Sequence, residues 1–474
     1  MCGVVGVSGI PEAAYLTAVG LHAVQHRGQE AAGIVSFDGE DFHEHREGGL
    51  AGRIFTKGVL QNLPGHAAIG HVRYSTSGVK QQDSILQARD AQPLVEIFPF
   101  GGLAIAHNGN LTNSDHLRHA LMGAGHSFQS KVDTEVALKL IGSAVGAKLV
   151  DRLKMGLPML EGAYAFLLLT KKKLIGVCDP YGIRPLVIGK MKSGAYVMAS
   201  ETCVLDALHA EYVSDVEAGT MVIVEDGKME THRFADPRPV RKCIFEYVYF
   251  SRPDSTWGGK NVGEARERLG HELAREAFID ADIVVPIPDS GNHAALGYAE
   301  VSGIPFKLGI IRNHYVGRVF IQPTQEDRDS DVILKLSVNE AVVRGKRIVL
   351  IDDSLVRGTT AKRVIDRLKA AGATAVHLRI TSPPWEHGCY YGIDEADVHR
   401  RVAKPHENSE TVCSRVKEVT GADSVAYLSV NGMYRAVVGQ ERTSACPQAC
   451  DACFTGSFPT SLTDLTGIRG GHVH

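Results

Sequence analysis

Residues 347–372 read RIVLIDDSLVRGTTAKRVIDRLKAAG, and no other stretch of the chain restricts its fold so tightly. Ile348, Val349, Leu350 and Ile351 form a short apolar run, bounded on both sides, as a fully buried parallel strand requires. The run ends on two adjacent carboxylates, Asp352 and Asp353. A polar loop over 354–360 follows, and the spacing of Val364, Ile365 and Leu368 predicts a helix that stops at Gly372. A strand, an acidic pair, a hydroxyl- and glycine-bearing loop and a helix N-terminus together make an anion site. Loop N–H groups and the helix dipole hold a phosphate, while the carboxylates bind ribose hydroxyls or a divalent metal. The competing reading is an ordinary strand-to-helix turn with two solvated aspartates. Arg357, Gly358, Thr359 and Thr360 weigh against it, because with Ser354 they put a charge, a freed backbone and hydroxyls where the helix begins.

A chain of 474 residues with 44% apolar and 22% charged content has room for two or three globular domains. Its net charge of −3 gives no general argument for binding nucleic acid or membrane. No apolar run approaches the roughly 20 residues that span a bilayer, and the N-terminus lacks a basic region, so a cytoplasmic protein is expected. Nine cysteines in a long chain do not suggest a secreted disulfide scaffold, and their clustering near the C-terminus suggests metal or cluster ligation.

The N-terminal half offers a second chemistry. Excising Met1 would leave Cys2 as the first residue, carrying its own base: an α-amine with pKa about 7.7 to 8.0 is partly neutral and takes the thiol proton. A helix predicted from Glu12 leads to His26 and Arg27, an apolar segment delivers Arg73, and another runs through His107 into Asn108 and Gly109. An Asn-Gly pair at a strand end commonly makes a turn. It also presents an amide NH2 and a backbone N–H to an oxyanion, worth about 2.7 to 4 kcal/mol per donor. Asp133 precedes the periodic Val136, Leu138 and Leu140, as a helix N-cap would.

The Pro-rich stretch 235–239 reads as a linker, dividing the chain into 2–235 and 236–474. Beyond it, residues 243–255 begin with an aromatic-rich strand, a helix runs from Val262 to Ala277, and a second strand-to-loop junction ends at Asp289, Ser290 and Gly291. Repeating β-loop-helix units place this half in the α/β doubly wound parallel class, with ligands at the strand C-termini. Residues 312–328, including Arg312, Tyr315 and Arg318, lack a period and mix basic and aromatic side chains. Cys243, Cys389, Cys450 and Cys453 could bind zinc or a cubane iron–sulfur cluster, and spacing does not choose between them.

The pattern over 348–360 resembles the phosphoribosyl pyrophosphate signature of the type I phosphoribosyltransferases. The stretches around Cys2, Arg27, Arg73 and Asn108 resemble the glutaminase domain of the class II, N-terminal-nucleophile amidotransferases over roughly residues 2–235. That resemblance implies an α+β, αββα sandwich. In it Cys2 attacks the glutamine amide, Asn108 and Gly109 form the oxyanion hole, Arg73 and Asp133 bind the glutamine carboxylate and amine, and Arg27 supports the Cys2 terminus. For the second half it implies phosphoribosyl pyrophosphate on Asp352, Asp353, Ser354, Arg357, Gly358, Thr359 and Thr360. One Mg2+ would sit on Ser290, Asp352 and Asp353, under a flap bearing Arg312, Tyr315 and Arg318.

The cysteine settings resemble the [4Fe–4S] branch of the purine amidotransferases, with Cys446 a possible substitute for Cys450, and Cys178, Cys203 and Cys413 read as structural thiols. Together the halves resemble the amidophosphoribosyltransferases. The implied reaction joins glutamine hydrolysis to attack of channelled ammonia on C1 of the phosphoribosyl group, giving phosphoribosylamine, glutamate and pyrophosphate, the first committed step of purine synthesis. A homotetramer and purine-nucleotide feedback inhibitors are implied as well. Another class II amidotransferase would lack the 348–360 pattern, and a salvage phosphoribosyltransferase would lack residues 2–135. A nucleotide- or redox-sensing regulator on the same folds is the non-enzyme alternative.

Overall fold

The computed structural model describes residues 1–74, 90–313, 336–393 and 401–468. Within 3–233 two antiparallel sheets stack face to face. The seven-stranded sheet runs in the order Ala210–Asp215, Val187–Met191, Tyr196–Ala199, Gly3–Ser8, Ala67–Arg73, Ala31–Phe37, Phe42–Gly48. The six-stranded sheet runs Lys228–Arg233, Thr220–Glu225, Lys173–Cys178, Gly162–Leu169, Gly101–Leu111, Leu94–Phe98.

Strand Gly162–Leu169 shows why the layers form. Its residues alternate faces: Ala165, Leu167 and Leu169 join Val4, Val35 and Ile69 between the sheets, while Tyr164, Phe166 and Leu168 point to the helix layer. Helices Asp133–Ser143 and Leu149–Gly156 cover that outer side, and helix Ala13–Ala23 covers the outside of the other sheet. The result is the expected αββα sandwich.

The second half is built on a four-stranded parallel sheet in the order Ile283–Pro286, Arg347–Asp352, Ala375–Ile380, Ser424–Tyr427. Strand Arg347–Asp352 is buried on both sides: Ile348 and Leu350 enter one core, Val349 and Ile351 the other. The predicted run, helix and doubly wound class are therefore all present.

One expected element is different. Residues 243–255 do not open with a strand: Cys243 makes an isolated bridge to Cys450, and Glu246–Phe250 is a π-helical turn. Tertiary contacts hold it. Phe245 packs edge-on against Trp385 with ring centroids 4.7 Å apart, and Glu246 turns inward to a buried arginine. The C-terminal segment also returns to the first half, where the Asp464 carboxylate accepts the N–H groups of Asp115 (2.9 Å) and His116 (3.0 Å) and so caps helix Ser114–Gly123.

Four buried charges join the halves. Arg27 donates to Glu201 at 2.6 Å and to Glu246 at 2.7 Å, and Arg184 reaches Glu246 at 3.3 Å. Glu201 also accepts from His26, the Arg252 N–H and Ser255. Burial would raise the Glu201 carboxyl, but His26 and Arg27 hold it well below its ordinary 4.5. A depressed carboxylate contributes stability that is full above its unfolded value and is lost as pH falls below it. Glu201→Gln should therefore cost about 3 kcal/mol at pH 7. In thermal melts the gap to the parent should close as pH drops below about 4.5; a gap independent of pH would contradict this.

Candidate active sites

Gly3 lies opposite Val72 in the antiparallel pair, so Cys2 leaves its strand beside Arg73 and Tyr74. Its thiol points at the Tyr74 carbonyl, 3.7 Å away, and Arg27 Nε donates to the Cys2 carbonyl at 3.0 Å. Met1 is buried here, and burial, the largest influence, lowers its α-ammonium to about 5. Gly28 allows this assembly: a Cβ there would lie 2.6 Å from the Arg73 carbonyl carbon. Arg73 itself lies 3.5 Å from Asp90, a partner that the sequence did not suggest.

Across the sandwich, Asn108 and Gly109 are not in a terminal turn but within strand Gly101–Leu111, facing Ala165 and Tyr164. Gly109 has φ +148°, and a Cβ would fall 2.0 Å from the Ala163 carbonyl oxygen, so only glycine fits. Asn108 is fully buried, and both its Nδ2 and Oδ1 lack hydrogen-bond partners among the described residues. An unpaired buried amide is costly. Asp133 is the first helical residue, not the N-cap, which is Val132. Its carboxylate accepts the Leu111 N–H at 2.9 Å and lies 3.5 Å from His107 Nδ1. Burial opposes its ionisation, yet His107 and the Leu111 and Thr134 N–H groups hold it below 3.8. His71 is fully buried, and burial, Arg73 and His107 push it down to about 3, so it is neutral.

In the second half Asp352 ends the strand and Asp353 is buried beside it. Ser354 Oγ donates to Asp353 at 2.5 Å, and Ser290 also hydrogen-bonds it. Burial and the Asp353 charge push Asp352 well above 3.8; burial raises Asp353 as well, against the Ser290 and Ser354 hydroxyls. Gly358, at φ +75°, starts helix Thr359–Ala370, which no side chain caps. Arg357, Thr359 and Thr360 are exposed around that N-terminus. Gly291 presses on the same strand, since a Cβ would lie 2.7 Å from the Ile351 carbonyl oxygen. Arg312 pairs with Asp289, next to Ser290. Tyr315 and Arg318 lie outside the described residues.

Cys243, Cys450 and Cys453 are buried and Cys389 is half-buried. Burial, then mutual proximity, pushes Cys243 up to about 11 and Cys450 and Cys453 well above 9.0, each sensing Cys389. Arg184 stands beside Cys243, Cys389 and Cys450. Cys446 is exposed, 3.7 Å from an Arg241 nitrogen. Among the described residues no three His, Cys, Asp or Glu side chains converge on a single metal ion.

Residues 79–207 match a glutamine amidotransferase domain family. The chain is 49% identical to the amidophosphoribosyltransferase of Rhizobium etli, over 99% of this chain and 94% of that one. It is 46% identical to the Bacillus subtilis enzyme of the same name, over 97% and 94%. The chain belongs to the amidophosphoribosyltransferase family. Its activity is that of this family, a step of purine biosynthesis. The solved glutamine phosphoribosylpyrophosphate amidotransferase from Bacillus subtilis, complexed with ADP and GMP, superposes with a TM-score of 0.89 at 45% identity, covering 97% of this chain and 98% of that one. The family architecture of an N-terminal-nucleophile domain followed by a phosphoribosyltransferase domain is therefore the architecture of this chain. No helix among the described residues is long and apolar enough to cross a membrane.

Several residues of this site escaped sequence reasoning. Glu201 reads locally as part of a helix start, and Glu246 as one polar position in an aromatic run; only the fold pairs them with Arg27. The cysteines' burial orders their reactivity. Brief alkylation of the native protein, followed by peptide mass spectrometry, should label Cys446 first and Cys243, Cys450 and Cys453 only after unfolding. Early labelling of Cys450 would contradict the arrangement.

Proposed function

We propose that the two sites divide the family reaction between them. Removal of Met1 would transfer the free α-amine to Cys2, which then takes the thiol proton as the thiolate attacks the glutamine side-chain amide. Arg73 grips the substrate carboxylate and Asp133 its α-amine. The oxyanion falls to Asn108 Nδ2 and the Gly109 N–H, and the proton returns to the leaving ammonia. Water hydrolyses the thioester to glutamate. Ammonia then attacks C1 of the phosphoribosyl group on residues 352–360, and pyrophosphate leaves. The observation that carries this reading is the buried, unpaired Asn108 amide beside Gly109, on the strand that faces the Cys2 and Arg73 layer.

Ser290, Asp352 and Asp353 suit one Mg2+, since a carboxylate pair whose ionisation is opposed by burial and by its own repulsion gains from a cation. A bound Mg2+ would neutralise charge on the departing pyrophosphate. Arg312, which pairs with Asp289 beside Ser290, would bring positive charge next to the pyrophosphate; Tyr315 and Arg318, assigned with it to the same substrate, lie outside the described residues.

Cys243, Cys389, Cys450 and Cys453 suit a [4Fe–4S] cluster. The four thiols lie close enough to sense one another's charge, and their sequence settings, which resemble the iron–sulfur branch, favour the cubane over zinc. Such a cluster would be a structural tie. The exposed Cys446 is then a bystander. The domain boundary falls at 235/236, the assembly is a homotetramer in the cytoplasm, and purine nucleotides inhibit it; the relative solved with ADP and GMP supports that last point.

Cys2→Ala should abolish glutamine-dependent phosphoribosylamine formation and leave the ammonia-dependent rate within about twofold, whereas Asp352→Asn should lower both by at least about a hundredfold while sparing glutamine hydrolysis. Pyrophosphate release with each nitrogen source measures both; loss of both activities in Cys2→Ala would make Cys2 structural. Iron and sulfide analysis of anaerobically purified protein should find four of each per chain. Stoichiometric zinc without iron would overturn the cluster.

A further inference from the structure

The oxyanion strand is held from outside its own half. Asn110 Nδ2 donates to the Tyr390 carbonyl at 3.0 Å, across 280 residues of sequence. Gly392, at φ +108°, comes so near the same strand that a Cβ on it would lie 2.9 Å from the Gly109 carbonyl oxygen and 3.1 Å from its carbonyl carbon. The contact is backbone against backbone, and the left-handed φ makes a side chain at 392 strained as well as crowded. The 390–392 segment is itself fixed from behind. The Tyr391 carbonyl accepts Arg184 Nε at 3.0 Å and Nη2 at 2.5 Å, and the Tyr391 hydroxyl meets Thr460 Oγ1 at 2.8 Å. Arg184 continues to Glu246, Glu246 to Arg27, and Arg27 to the Cys2 carbonyl. One buried network therefore grips the Cys2 terminus and, through the 390–392 segment, the Gly109–Asn110 peptide, which begins at the Gly109 Cα.

We propose that Gly392 and the Asn110–Tyr390 hydrogen bond are positioning elements for the glutamine half-reaction: they fix the Gly109–Asn110 peptide and, through the Gly109 Cα, the direction of the Gly109 N–H that an oxyanion needs. They touch no reacting atom. They act through Gly109, on the segment that begins at Cys389. This inference rests on the reading of Asn108 and Gly109 as the oxyanion hole. A displacement of about 1 Å at such a donor costs on the order of a hundredfold in rate. Ground-state glutamine is held elsewhere, by Arg73 and Asp133, so the effect belongs to kcat and not to KM.

The test compares Gly392→Ala, Asn110→Asp and Asn108→Ala in the full-length protein. Asn110→Asp keeps the shape and removes the donor to Tyr390. For Gly392→Ala and Asn110→Asp the expected result is a glutamine-dependent kcat lowered by about tenfold to a hundredfold, with KM for glutamine changed by less than about twofold. Ammonia-dependent synthesis and iron content should equal those of the parent. If Gly392→Ala does not fold, Asn110→Asp decides alone. Parallel loss of glutamine- and ammonia-dependent rates, or an unchanged glutamine kcat, would overturn the proposal. Asn108→Ala separates the two levels: if it loses glutamine activity while the other variants keep theirs, only this inference fails. If it too keeps full activity, the oxyanion reading fails with it.

Discussion

Two arginines and two glutamates, buried and mutually neutralising, are what the rest of the molecule hangs on. Arg27 and Glu201 belong to the first half, Glu246 to the second, and Arg184 reaches Glu246 from the first. Removing any one member leaves the buried network with an uncompensated charge, which costs more than the intact pairs contribute. The pairs therefore say little about how stable the protein is. They say a good deal about geometry, because guanidinium and carboxylate meet with fixed direction and only one docking of the halves satisfies all four.

That docking has a chemical purpose. On the proposed reading, ammonia released at Cys2 would have to reach C1 of a sugar phosphate in the second half without meeting bulk water, where it would be protonated. Joining the halves through the residues that hold Cys2 makes the relation between the sites part of the glutaminase site itself. Arg27 does so by binding the Cys2 carbonyl on one side and Glu246 on the other. The Gly109 and Gly392 backbones meet so closely that no side chain fits between them.

The parts legible in the sequence are those whose signal is local. Strand Arg347–Asp352 declares itself because burial on both faces demands an unbroken apolar run, and the acidic pair and Gly358 follow at fixed offsets. Asn108 and Gly109 were legible as a pair, but not as strand residues, since Gly109 owes its place to the Ala163 carbonyl on the neighbouring strand. The π-helical turn at Glu246–Phe250 carries the sequence signal of a strand, because aromatic composition favours strands and nothing local announces Trp385 or Arg27. Asp464 caps a helix about 350 residues earlier, a contact that no periodicity encodes. Local preference writes elements into sequence; docking between elements is written only in space.

The carboxylates of the two sites carry this contrast into mechanism. Asp133 is kept ionised by donors already in place, His107 and two backbone N–H groups, so the protein itself has met the cost of burying its charge. Asp352 and Asp353 have no such provision: burial and mutual repulsion raise both, and the hydroxyls of Ser290 and Ser354 offset only part of it. The Asp133 carboxylate is thus already charged in the folded protein, which is what its proposed contact with a substrate ammonium group requires. At the second, burial and mutual repulsion oppose the ionisation that the first site's donors favour.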